Sequence, residues 1–235
     1  LATFDGCNFI NNESGSRAGA LYGTSNTNTV TISCLFEGNK GVNGGAISTA
    51  TSGAYTDGVE GQTDKGSTFK NNTATGLGGA LHLTKAASLY GSTFEGNTSA
   101  QNGGAIYTSV EIVLADTSVT ANSSGIYVGS GDVVVSGTVN VSNNNTYNIY
   151  RAEGSGVTLS GMLGEGSVIC IETKDADGNR LVRRAETNLG DLCAEAFRSA
   201  VGADIGYING GGIRADISAG DITFNDLLSV FPFNN

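Results

Sequence analysis

Apolar residues in the first 150 positions come in short runs between Gly, Asn, Ser and Thr, and the runs repeat. Cys7-Asn8-Phe9-Ile10-Asn11-Asn12 returns as Cys34-Leu35-Phe36-Glu37-Gly38-Asn39, then Ser67-Thr68-Phe69-Lys70-Asn71-Asn72, then Ser92-Thr93-Phe94-Glu95-Gly96-Asn97. A degenerate copy follows at Thr117-Ser118-Val119-Thr120-Ala121-Asn122. About ten residues after each Phe comes a second motif: Ala18-Gly19-Ala20-Leu21, Gly44-Gly45-Ala46-Ile47, Gly78-Gly79-Ala80-Leu81 and Gly103-Gly104-Ala105-Ile106. Phe9, Phe36, Phe69, Phe94 and Val119 are 27, 33, 25 and 25 residues apart, a period that suits one turn of a β-solenoid. Phe and the Ala-Ile pair are then expected to point into a narrow core, coil upon coil at ~4.8 Å.

The Gly pair would allow a corner that a side chain forbids. Asn at the other corner would tolerate the left-handed region and hydrogen-bond to its counterparts in adjacent coils. The longest interval contains Thr51 to Gly66, polar and Gly-rich, which reads as a loop extruded from one coil. Alternation from Asp132 to Val141 predicts the last coils. Cys7 and Cys34 share one repeat position, so they should stack in adjacent coils, either as buried thiols or as a disulfide.

From about Gly164 the grammar changes. Val168 to Thr173 and Arg180 to Arg184 flank Asp175-Ala176-Asp177-Gly178, a hairpin signal. Leu189, Leu192, Cys193, Ala196, Phe197 and Ala200 recur at helical spacing, with Asn188 suited to the N-cap and Gly202 to the stop. Asp204 to Ile208 predicts a short buried strand entering Asn209-Gly210-Gly211-Gly212-Ile213-Arg214, and a second helix is predicted from Thr223. Three glycines let backbone amides approach a ligand, and the Arg supplies a planar fork for phosphate. On spacing alone this segment reads equally as a tight turn.

Charge and composition narrow the function. Twelve Lys and Arg against 22 Asp and Glu leave a net charge of −10, a field that repels phosphate backbones and argues against a nucleic-acid partner. No apolar run is long enough to span a membrane as a helix. The four cysteines form no CxxC pair. The single histidine, His82, has no carboxylate cluster near it in sequence, so chemistry that needs several placed histidines is not expected to be complete in this chain. With Leu1 at its start and an apolar run just before Asn235, the chain reads as a fragment of something longer.

The paired FxxN and GGA[IL] motifs resemble the repeats of polymorphic outer-membrane proteins and related surface adhesins, over roughly residues 1–125. That resemblance implies a right-handed parallel β-helix, a secreted or surface-exposed stalk, and contacts with a host through its coils. Carbohydrate-active β-helices share the architecture but need clustered carboxylates or cations on one face. The cations Arg17, Lys40, Lys65, Lys70 and Lys85 keep no consistent coil position.

Glu186-Thr187-Asn188-Leu189-Gly190-Asp191-Leu192, Asn209 to Arg214, Ala219-Gly220-Asp221-Ile222-Thr223 and Pro232-Phe233-Asn234 resemble, in that order, the 5'-nucleotidase C-terminal domain. The resemblance implies a domain that binds a nucleoside monophosphate or related nucleotide. Hydrolysis would belong to a separate metallophosphatase domain holding two divalent metals. By position, Arg183 and Arg214 match phosphate-binding arginines and Asn209 an asparagine near the nucleoside. Phe233 matches the first of two aromatics that sandwich the base, and Gly210, Gly211 and Gly212 join the site as the amides that approach the ligand. The second aromatic would lie beyond residue 235, and Arg180 stands near the place of a further family arginine.

The expected architecture is mainly β: a parallel β-helix stalk over 1–160, then over 161–235 a truncated α+β piece of a 5'-nucleotidase C-terminal domain. The function expected is that of a nucleotide-binding fragment of a secreted or surface nucleoside-phosphate hydrolase, with no catalytic residue, metal or cofactor of its own. The alternative is a non-catalytic, adhesin-like surface protein.

Overall fold

The computed structural model describes residues 1–23, 28–49, 53–152 and 154–171. Every element among them is a β-strand. The chain divides into two units, Leu1–Ile169 and Cys170–Asn235. The first is a parallel β-solenoid of about six turns, as the repeat period predicts.

Three sheets run along the coils. One has seven strands, from Ala2–Asp5 through Thr29–Ile32, Tyr55–Asp57, Ala87–Tyr90, Ile112–Ala115 and Val133–Gly137 to Val157–Leu163. The second, also of seven, runs from Asn8–Ile10 to Val168–Ile169 and carries the Phe column. The third has six strands, from Leu21–Tyr22 to Ile149–Arg151. Lys40–Gly41, Thr73–Ala74 and Thr98–Ser99 form a small fourth sheet at one corner. Pairing is parallel and in register, so Phe9 faces Phe36, Phe36 faces Phe69, Phe69 faces Phe94, and Phe94 faces Val119.

Register explains why the signature repeats. A side chain meets its own counterpart one coil away, and flat rings stack on flat rings. The four Phe rings lie 4.7, 4.8 and 4.6 Å apart, within 3° of parallel. Phe36, Phe69 and Phe94 are fully buried. Phe9, expected to be equally buried, is only half-buried, with Phe4 edge-on to it at 5.6 Å.

The Asn corner divides its work between two residues. The left-handed position is the one before the recurrent Asn: Asn11, Gly38, Asn71, Gly96, Ala121 and Asn143 all have φ between 53 and 67°. The recurrent Asn itself turns inward. Asn39, Asn72, Asn97 and Asn122 are fully buried, and each donates from its backbone N–H and its Nδ2 to the Oδ1 of the next Asn at 2.9–3.1 Å. The same Nδ2 reaches back to the carbonyl of Phe9, Phe36, Phe69 or Phe94 in the previous coil. The amide's donors and acceptor are thus spent, which is what lets a polar side chain sit in the core.

The Gly pair also divides. Gly44, Gly78 and Gly103 have φ of 74, 67 and 71°. The second glycine is needed for space: a Cβ on Gly45 would overlap the carbonyl oxygen of Gly79 in the next coil.

The Thr51–Gly66 interval is not one loop. Tyr55–Asp57 is a strand in the first sheet, paired with Thr29–Thr31 on one side and Ala87–Leu89 on the other. Among the described residues of the interval, Gly58 to Gly66 leaves the coil. The strand was hidden because its inward residues are a Tyr and an Asp, which break the apolar-polar alternation. Strands Val157–Leu163 and Val168–Ile169 continue two of the sheets past residue 160.

Candidate functional site

Beside the Asn ladder, the coils bury a polar cluster around Asp57. Thr31 and Asp57 point into the lumen from adjacent coils, in a column continued by Leu89, Leu114 and Val135. Asp57 is fully buried. Its Oδ1 accepts from the Thr31 hydroxyl at 2.5 Å, and its Oδ2 accepts from the Ser67 backbone N–H at 2.8 Å and the Ser92 hydroxyl at 2.6 Å. The Tyr55 hydroxyl lies 2.7 Å from the Thr31 oxygen. Because Thr31 spends its proton on Asp57, Tyr55 must be the donor of that pair.

Burial raises the Asp57 carboxyl above its ordinary value, and the bonds from Ser67, Ser92 and Thr31 pull the other way. Burial likewise raises the Tyr55 hydroxyl well above its ordinary value, with the Asp57 charge adding to the effect. Every member lies inside the lumen, so the cluster shapes the core and presents nothing to a solute.

His82 is half-buried and sits opposite Ser48 on the six-stranded sheet. Its Nδ1 is 3.0 Å from the Ser48 hydroxyl. Burial lowers its basicity. The pair was not read from sequence, though both residues follow directly on the GGA[IL] motif and so must meet. A Ser–His contact alone is not a nucleophilic site: Ser48 is 2% exposed, and no carboxylate among the described residues accepts a hydrogen bond from the ring. The imidazole instead begins an outer ring column with Tyr107, Tyr127 and Tyr150, at 5.4, 5.5 and 5.0 Å.

Among the described residues, no three His, Cys, Asp or Glu side chains come together to hold a metal ion. Among the same residues, no helix is long and apolar enough to cross a membrane. The site residues read from sequence, Arg183, Asn209, Gly210, Gly211, Gly212, Arg214 and Phe233, all lie outside the described residues. So do most of the expected hairpin, Arg180, and the helices expected from Leu189 and Thr223.

Comparison with known proteins speaks to that region. Residues 168–235 match the model of the 5'-nucleotidase C-terminal domain. Residues 33–50, 66–84 and 91–109 match the Chlamydia polymorphic membrane protein repeat. The trifunctional nucleotide phosphoesterase protein YfkN of Bacillus subtilis is 50% identical over 64 residues, 25% of this chain and 4% of that protein. A 5'-nucleotidase of Vibrio parahaemolyticus is 48% identical over 60 residues, 25% of this chain and 11% of its own length. Protein UshA of Escherichia coli is 46% identical over 54 residues, 23% of this chain and 10% of its own. The chain thus spans about a tenth or less of the length of these curated relatives. No solved structure matches it. Two stretches of one chain are similar to two families: the coils to polymorphic membrane protein repeats, and residues 168–235 to the 5'-nucleotidase C-terminal domain.

Proposed function

We propose that residues 168–235 bind the nucleotide in a secreted or surface-exposed 5'-nucleotidase-like hydrolase of nucleoside phosphates, with the β-solenoid as its stalk. Identity of 46–50% with nucleotide phosphoesterase and 5'-nucleotidase sequences over 54–64 residues supports this reading above any other observation. In it, Arg183 and Arg214 hold the phosphate, and the amides of Gly210 to Gly212 approach it. Asn209 meets the nucleoside and Phe233 stacks on the base.

Local guanidinium groups matter all the more because the chain as a whole is acidic. A net charge of −10 repels a nucleotide at long range, so its phosphate must be recognised at contact distance. The two divalent metals and the hydrolytic step are assigned to a separate metallophosphatase domain, and the described coils receive no part of that chemistry.

Calorimetric titration of the 235-residue chain with AMP tests the proposal. Binding is expected, weakened by roughly 1.5–3 kcal/mol in Arg214→Ala, the worth of a charge-assisted hydrogen bond. An unchanged affinity would remove Arg214 from the phosphate site. Absence of any AMP binding would favour the second reading, a non-catalytic adhesin-like stalk, which rests on the three matched repeats.

A further inference from the structure

Cys7 and Cys34 stand at the same position of the first two coils, two residues before the stacked Phe9 and Phe36. Later coils place Ser67, Ser92 and Thr117 there, and each hydroxyl has a task. Ser67 Oγ accepts from the Cys34 N–H at 3.1 Å, Ser92 donates to Asp57, and Thr117 donates to the Leu89 carbonyl at 3.1 Å. The two coils that carry sulfur in this place are adjacent and pair directly, Ala2–Asp5 with Thr29–Ile32 and Asn8–Ile10 with Leu35–Glu37. We propose that Cys7 and Cys34 form an inter-coil disulfide that staples the first coil to the second.

Register brings the two residues together. The flanking pairs Asp5–Ile32 and Asn8–Leu35 place Cys7 directly opposite Cys34, and the Leu35 N–H donates to the Cys7 carbonyl at 2.9 Å. Neighbouring parallel strands lie ~4.8 Å apart. That separation falls inside the Cα–Cα span of about 4.4–6.8 Å that disulfides occupy.

Both sulfurs also take the same local pose. Cys7 Sγ lies 3.4 Å from the Asp5 carbonyl, and Cys34 Sγ lies 3.3 Å from the Ile32 carbonyl, each two residues back. Equal poses one coil apart put the sulfurs about one coil spacing apart, ~4.8 Å. Cys34 already leans across, with its Sγ 3.4 Å from the Phe4 carbonyl of the first coil. Turning Cys7, which is half-buried, about its Cα–Cβ bond, with a small shift of its coil, closes the gap.

Both thiols are free in the structure, so an oxidant must be supplied, and a low-molecular-weight disulfide such as oxidised glutathione suffices. The Cys7 thiolate attacks one glutathione sulfur. The glutathione S–S bond breaks and one glutathione thiolate leaves, taking up the proton that Cys7 gave up. The Cys34 thiolate then attacks the Cys7 sulfur and expels the second glutathione, which takes the Cys34 proton. Two cysteine thiols are oxidised and one glutathione disulfide is reduced to two thiols.

The test is peptide mapping of the full chain after incubation with oxidised glutathione and alkylation of remaining thiols. Cys7 and Cys34 peptides should be recovered joined, at the loss of two hydrogen atoms, and the joined form should resist thermolysin at residues 1–10 longer than the reduced form. Cys34→Ser should leave Cys7 alkylated or carrying glutathione, with the thermolysin protection lost. Ser is the residue this position holds in later coils, and Cys7→Ser provides the same reading from the other side. Recovery of Cys7 and Cys34 both alkylated from the oxidised wild-type chain would overturn the proposal. So would pairing of either with Cys170 or Cys193.

Discussion

Two sheets of the same solenoid treat the same lumen differently. The sheet carrying Phe9, Phe36, Phe69 and Phe94, with its Asn corner, repeats its residues coil after coil. The sheet carrying Thr31, Asp57, Leu89, Leu114 and Val135 keeps the inward position but changes its chemistry from polar to apolar. A stacked ring or a laddered amide is complementary to itself, so each coil constrains the next to the same residue. A general apolar wall asks only for volume and for the pairing of whatever polar atoms it takes in. Identity between coils therefore marks self-complementary contacts, and burial alone leaves no repeat signature.

The sharpest way to break that contrast is Phe69→Ala. Phe69 is fully buried, with a ring on each face at 4.8 and 4.6 Å, so the cavity should cost ~3–5 kcal/mol. An unchanged denaturant midpoint would disprove the stacked core. Next comes Asn97→Ala. It strips the acceptor from the Asn72 backbone N–H and Nδ2, and the donor from the Phe69 carbonyl. An orphaned buried group costs ~1–3 kcal/mol, so at least that much should be lost, read from urea titration. On the variable sheet, Leu114→Met keeps volume and needs no matching neighbour. Its cost should stay below about 1.5 kcal/mol, and a loss as large as that of Phe69→Ala would erase the distinction.

The smallest effect is one of pH. Burial raises the carboxyl of Asp57 in the folded chain, so between the unfolded and folded values the native state binds more protons than the unfolded one. Its contribution is therefore full below the unfolded value and is lost as pH rises through the folded value. Asp57→Asn should flatten this dependence in denaturant midpoints measured from acid to neutral pH. A midpoint that changes with pH equally in both chains would place the titration elsewhere.

The same contrast decides what could be read from sequence. The Phe column and the Ala-Ile pair were legible because register forces repetition. The Asn corner was legible in kind but shifted by one, since Asn11, Asn71 and Asn143 stand beside the ladder residues and take the left-handed turn. Tyr55–Asp57 was illegible, because an inward Asp looks like loop until Thr31, Ser67 and Ser92 supply its donors from 10 to 35 residues away. The pairing of Ser48 with His82, 34 residues apart, follows from coil register and from nothing local. The blocks from Glu186 to Asn234 were legible as ordered motifs, and the family match over 168–235 rests on the same stretch.

The amide ladder has a direction. From Asn39 to Asn144 every side-chain oxygen in the ladder accepts from the coil before, and from Asn12 to Asn122 one N–H of each Nδ2 points on to the coil after. The last donors, on Asn144, are taken by Asn148 of the same coil at 3.0 Å. Aligned amides add head to tail as they do in a helix, so the solenoid carries an electric dipole along one corner. Its positive pole is capped from within by Asn148. Its negative pole lies toward Asn12, the first amide of the series.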